Sequence, residues 1–237
     1  MEPLGIISGI ILLQDKGILG DLEERLIATE FGKACVYLSD TIAFIPRHGK
    51  DQKNHILPHL INNQANLKAL KDIGVKDVIS VNSTGSLKKK LTPGTIVVPD
   101  DFIMFPGTPT TLSQKALHIT PKLSDAVRKE WIEAAQDCGI KVTNGGIYWQ
   151  TTGPRLETKA EIAMMSRFAD LVGMTMASEA AIAQELGLHY AALCSVDNYG
   201  HGLGEKELTI EEILQHARRN TEVIIKIVRR YIERRKG

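Results

Sequence analysis

The chain reads as an α/β protein, a single domain with a mixed central β-sheet flanked by helices. Three observations predict this. Short apolar runs of strand length alternate with segments of helical period along the whole chain. No linker and no internal repeat interrupts the alternation. Hydrophobic residues make up 43% of 237, enough for one sizeable core, so the domain is taken as 1–237.

Each element follows from local pattern. Residues 4–13 read as a buried strand broken at Ser8-Gly9. Residues 34–38 and 41–46 read as a hairpin around Ser39-Asp40. In residues 60–73, Leu60, Ala65, Leu67, Leu70 and Ile73 share one helical face, and Gly74 stops the helix. Residues 77–81 form a short buried strand, followed by a polar, Gly-containing turn over 82–86. Another strand spans 95–99. Residues 104–120, rich in Pro, Gly and Thr and without period, form a long loop of the kind that often carries function. Then come a helix over 123–138, a strand over 145–151, and helices over 158–167 and 177–186. A strand over 190–196 leads to a terminal helix over 208–234, where Thr209 and Glu212 have capping-box spacing.

Composition excludes several classes. The net charge is +1 with both signs interspersed, so a nucleic-acid partner is not expected. The basic tail over 229–236 reads as a solvated helix end, where cations suit the dipole. The three cysteines are scattered without ligand spacing and read as reduced core residues. The seven histidines form no HExxH, so no metal site is expected. No GxGxxG, P-loop or GxSxG elbow occurs. The apolar start is too short to span a bilayer and lacks a basic n-region and a cleavage site. A cytoplasmic protein without a membrane partner is expected.

Five polar features remain. Arg47-His48-Gly49 follows a strand end, where a guanidinium fork suits an oxyanion; a surface turn with a chance basic pair is the other reading. Asn82–Ser86 follows a buried strand, and a turn there offers backbone N–H groups as an anion nest. Polar Gly turns are also common structural features. Met174-Thr175 suits either a ribose and phosphate edge or a core Met before a helix start. Glu157 is either a base ligand or a first-turn helix acid. Asn198 is either a base ligand or a turn residue before Tyr199-Gly200.

Taken jointly, the motifs carry a resemblance. They are Asn82-Ser83-Thr84-Gly85-Ser86-Leu87 after an apolar strand, Arg47-His48-Gly49, Pro58-His59 with Asn62-Asn63-Gln64-Ala65-Asn66, Pro93-Gly94-Thr95-Ile96-Val97, Gly153-Pro154-Arg155, and Val172-Gly173-Met174-Thr175 with Glu179. In this order they resemble the purine nucleoside phosphorylase and methylthioadenosine phosphorylase family, from about Gly5 to the terminal helix. The resemblance implies that phosphate attacks C1′ of a purine nucleoside as the glycosidic bond loosens. It implies that Arg47, His48, Asn82, Ser83 and Thr175 hold phosphate, with inorganic phosphate as co-substrate and no cofactor. Met174 would pack on the ribose and Leu156 on the purine, where the family often has Phe. Asn198 and Glu157 would bind the base and stabilise it as it leaves, with Tyr199 and Gly200 on the same edge.

Chemistry then narrows the substrate. A 6-oxopurine has an N1–H donor for Glu157 and an O6 acceptor for Asn198, which can also accept from N7–H. A 6-aminopurine turns a bare N1 toward the carboxylate. The resemblance gives methylthioadenosine-specific members a small residue in place of Glu157 and Asp in place of Asn198. A site built for one pattern rejects the other by roughly 10⁴. Ile210 aligns over the ribose 5′ position, where members using ordinary nucleosides have His. Its aliphatic side chain favours a methylthio or deoxy group by about 1–2 kcal/mol. Hence 5′-methylthioinosine or 5′-deoxyinosine is the expected substrate, with inosine and guanosine second.

One departure stands out. The family's first glycine loop presents a hydroxyl to phosphate, and Ile10 stands at that position, two residues after Ser8. A nucleosidase, or a non-catalytic purine nucleoside-binding protein, is the alternative that this departure keeps open. The resemblance also implies a homotrimer or a dimer of trimers.

Overall fold

The computed structural model describes residues 2–9, 12, 16–50, 52–105, 107, 109–114, 116–204 and 209–236, leaving aside the side chains of 16, 17, 52, 210–212, 214 and 236. Strand β1 (Leu4–Ser8) is followed by helix α1 (Lys16–Leu19) and strands β2 (Glu23–Thr29), β3 (Gly32–Leu38) and β4 (Ile42–Pro46). Helix α2 (Asn63–Asp72) leads to β5 (Asp77–Ser86), β6 (Ile96–Val98) and β7 (Asp101–Met104). Helix α3 (Asp125–Asp137) precedes β8 (Thr143–Asn144) and β9 (Ile147–Gln150). The chain continues through α4 (Lys159–Met165), β10 (Leu171–Gly173), α5 (Met176–Glu185), β11 (His189–Tyr199) and α6 (Ile210–Lys236).

These strands form one mixed sheet of 11 strands, as the sequence predicts. Its central strands alternate between two cores, as period-2 side chains must when both faces are covered, and β9 and β10 turn Trp149 and Val172 into a third, smaller cluster. On one face Ile7, Val78, Tyr190, Ala192, Cys194 and Val196 pack with residues of α2 and α5. On the other, Ile6, Ile79, Ala191 and Leu193 pack with Val127 and Trp131 of α3 and with Ile227 and Tyr231 of α6.

Strand β5 organises the sheet. Along one edge it pairs in parallel with β11 over its whole length. On the other edge β1 pairs with residues 78–80, and β10 pairs antiparallel with residues 85 and 86. Among the described residues no strand pairs with 81–84 on that edge. The sheet therefore forks there, and backbone groups near the fork need partners other than a strand.

Four expectations change. The turn over 82–86 is strand, because β11 on one edge and β10 on the other supply ladders that override the local Gly/Ser/Thr composition. The backbone over 82–86 is therefore extended rather than folded into a turn. Strand β2 was not expected; its charged, exposed residues are those of an edge strand, which shows little alternation of hydrophobicity. The basic tail is not a freely solvated end. Arg230 and Arg234 pair with Asp137, Arg234 also with Glu133, and Arg235 spans Asp77 and Glu130, so the last turns of α6 are tied to α3 and β5. Of the cysteines, Cys194 is buried while Cys35 and Cys138 are half-buried.

Candidate active site

The fork is filled by an ion pair. Arg47 follows β4, and Glu179 lies in the first turn of α5; both are buried, at 4% and 1% exposure. The Arg47 Nε donates to Glu179 Oε1 at 2.6 Å and Nη2 to Oε2 at 3.2 Å. Nη1 donates to Val81 O, and Nη2 also lies within hydrogen-bond reach of Ile7 O and Ser80 Oγ, carbonyls and a hydroxyl at the parting of β1 and β5. Burial disfavours the charge, but Glu179 outweighs it and holds the guanidinium pKa above its usual value. Tyr190 donates its hydroxyl to Glu179 Oε2 at 2.7 Å.

A hydrogen-bonded chain runs on from this pair. Ser80 Oγ lies 2.6 Å from Asn82 Oδ1, and Asn82 Nδ2 donates to Thr175 Oγ1 at 2.9 Å. Thr175 precedes α5, yet its hydroxyl makes no cap bond. Instead, the Tyr148 hydroxyl accepts from the Thr175 and Met176 N–H groups. The Thr175 side chain is thereby turned toward Asn82. Gly173 permits this, since a Cβ there would meet the Tyr148 hydroxyl oxygen at 2.3 Å. Three of the five residues assigned to phosphate by resemblance, Arg47, Asn82 and Thr175, thus come together at the fork.

The other two face elsewhere. His48 Nδ1 bonds to Ile56 O at 2.8 Å, and its ring stacks on His55. A carbonyl only accepts, so Nδ1 carries a proton. Burial and the adjoining Arg47 charge pull the imidazolium pKa down to about 4. Ser83, exposed beside Asn82, lies on the opposite face of the strand, the side of the buried Asp197.

The base-reading candidates stand on separate supports. Glu157 is buried at 8% exposure on the segment before α4, and Thr151 Oγ1 donates to its Oε1 at 2.7 Å. It lines a cleft of about 320 Å³ with Trp149, Met164 and Met165. The helix after it starts with a Thr158–Glu161 capping box, so Glu157 is not needed as a first-turn acid. Leu156, beside it, is 39% exposed. Met174 lines an adjoining cleft of about 370 Å³ and packs over Gly153, where a Cβ would meet its Sδ at 2.5 Å. Asn198 ends β11 beside Gly85, with Nδ2 donating to Tyr199 O at 2.8 Å. Tyr199 donates to Lys89 O, and Gly200 N–H to Ser86 O. Gly200 packs tightly on α4, since a Cβ there would meet Ile162 Cδ1 at 2.8 Å. Ile10 and the Ile210 side chain lie outside the described residues, as does the Glu212 side chain of the expected capping box.

Sequence reading gave no role to Glu179, Ser80, Tyr190, Tyr148 or Asp197. One signal was available: an acid within the apolar run of α5 is almost never buried without a partner. That signal names no partner, because Arg47 lies 132 residues away.

Glu179→Ala leaves a buried guanidinium unpaired and is expected to lower stability by about 3–5 kcal/mol in urea unfolding. The double variant Arg47→Met/Glu179→Leu should recover much of the loss; a double variant no more stable than the single one refutes the ion-pair account. His48 contributes stability above its unfolded pKa near 6.5, which is lost as pH falls toward the folded value of about 4. In phosphate-free buffer, wild-type protein should lose stability relative to His48→Gln across that window. A constant difference between the two in chemical denaturation defeats the assignment.

Known proteins resemble this chain in sequence and fold. The profile of the phosphorylase superfamily covers residues 10–233. The chain is 41% identical to a probable 6-oxopurine nucleoside phosphorylase of Archaeoglobus fulgidus, over 98% of this chain and 96% of that one. It is 35% identical to a probable S-methyl-5′-thioinosine phosphorylase of Methanocaldococcus jannaschii, over 97% of this chain and 91% of that one. Among solved structures, a methylthioadenosine phosphorylase from an antarctic soil metagenomic library superposes with a TM-score of 0.86 at 26% identity, covering 98% of this chain and 85% of that one. A methylthioadenosine phosphorylase from Schistosoma mansoni, at 24% identity and a TM-score of 0.85 over 98% of this chain and 91% of that one, shares the fold. With the profile spanning nearly its whole length, and a relative 41% identical across it, the chain belongs to the phosphorylase superfamily.

Proposed function

We propose that this chain is a pentosyltransferase that phosphorolyses 6-oxopurine nucleosides, preferring 5′-methylthioinosine or 5′-deoxyinosine. The products are hypoxanthine and a 5-modified ribose 1-phosphate, a purine-salvage reaction. The observation that carries this reading is Glu157, a buried carboxylate in the wall of a cleft, in a chain 41% identical to a probable 6-oxopurine nucleoside phosphorylase. In this reading Glu157 accepts from N1–H of the base. An Asn side chain has two N–H groups and an oxygen, so the bond to Tyr199 O uses one function of Asn198 and the others meet O6 and N7–H. Phosphate binds at the fork beside Asn82 and Thr175. It attacks C1′ as the C1′–N9 bond breaks; the bonding electrons leave with the purine, N7 takes up a proton from solvent, Asn198 stabilises the charge that develops at O6 by donating to it, and Glu157 holds N1–H. Met174 supports the ribose, Leu156 the purine face, and Ile210 an apolar 5′ group.

Hydrolysis of the same bond is the second reading. Arg47 spends most of its donors on protein acceptors, and His48 is held neutral, so little cationic charge is left for a phosphate dianion. Base release from methylthioinosine, deoxyinosine, inosine and methylthioadenosine, with and without phosphate, separates the two. Phosphorolysis requires release to depend on phosphate; undiminished release without it establishes the hydrolase. Asn198→Asp is expected to move preference toward 6-aminopurines, and an unchanged inosine-to-adenosine ratio counts against the base assignment. We also propose a cytoplasmic homotrimer or dimer of trimers. No described helix is long and apolar enough to cross a membrane, and Phe105, Leu117 and Phe168 are large apolar side chains left exposed on one chain. A monomer in light scattering would rule the assembly out.

A further inference from the structure

Strand β11 carries a bulge between Val196 and Asn198. Val196 pairs with Thr84 and Asn198 with Gly85, so Asp197 is the extra residue. In an unbroken strand residue 198 would share the face of Cys194 and Val196, which is the core beneath α5. The bulge turns Asn198 out of that core, as bulges re-aim side chains elsewhere. What holds the bulge is a buried polar cluster. Asp197 is 1% exposed and Asn220 of α6 is 4% exposed. Asn220 Nδ2 donates to Asp197 Oδ1 at 2.7 Å and to Val196 O at 3.1 Å, bridging the side chain and the backbone of the bulge. Ser195 Oγ donates to Asp197 Oδ2 at 3.2 Å.

We propose that Asp197 is a positioning residue: with Asn220 it locks the β11 bulge that aims Asn198 at the base. The inference rests on the base-reading role proposed for Asn198. A carboxylate has only acceptors, and here it gathers donors from β11 and α6 into one rigid unit. The aim of Asn198 is thereby set by a group that touches neither ligand.

The test compares wild type with Asp197→Asn, and with Asn220→Ala in case the first variant does not fold. Each is checked for a wild-type circular dichroism spectrum. The inosine-to-adenosine ratio of kcat/KM is read, with Kd for hypoxanthine and adenine by calorimetry as a readout independent of turnover. A misplacement of about 1 Å can cost about 10²-fold, so the discrimination between bases should relax by roughly ten- to a hundredfold. A merely structural role would lower stability and leave the discrimination unchanged, and folded variants with an unchanged base ratio overturn the proposal. Failure of the phosphorolysis reading appears in the wild-type control instead, as phosphate-independent release, and the base Kd comparison then decides the role of Asp197.

Discussion

The buried Arg47–Glu179 pair closes the place where the sheet divides. A fork leaves carbonyls such as Val81 O and Ile7 O without strand partners, and a buried carbonyl without a donor is costly. A guanidinium has enough N–H groups in one plane to serve several such acceptors at once, and a carboxylate beside it offsets the cost of burying its charge. Glu179 sits on α5, so the pair also fixes that helix against β1 and β5. The positions of Ser80, Asn82 and Thr175 all follow from it.

The site is read from both faces of β5. Asn82 faces α5 and meets Thr175; Ser83, the next residue, lies on the face of α6 and Asp197. Alternation along a strand thus delivers adjacent polar residues to two different helices. Each face has its own buried acid, Glu179 on one and Asp197 on the other, and each acid gathers donors from several elements. Glycines make the close approaches possible. Gly173 admits the Tyr148 hydroxyl that caps α5, and Gly85 leaves room for the Asn198 amide.

Much of this architecture is legible along the chain. The apolar runs of β1, β4 and β11 and the helical face of α2 have periods that local sequence reveals, because burial on one or two faces imposes them. Strand β2 and the second half of β5 are not legible in that way. The first is an exposed edge, and the second has turn-like composition that only its neighbours on both edges turn into strand. The site shows the same division. Arg47, Asn82, Thr175 and Glu157 were picked out by residue type at strand and helix ends, whereas Asp197 and Glu179 were not.

The sequence by itself determined the alternation of strands and helices, the two-faced core and the identity of the groups at the strand ends. Those depend on hydrophobic period and residue chemistry, both local properties. Which of these groups meet is settled by the fold. Arg47 finds its partner 132 residues away, His48 turns to Ile56 O, and one extra residue in β11 re-aims Asn198. Partnership across the fork is set by strand order and register, and no local pattern encodes either.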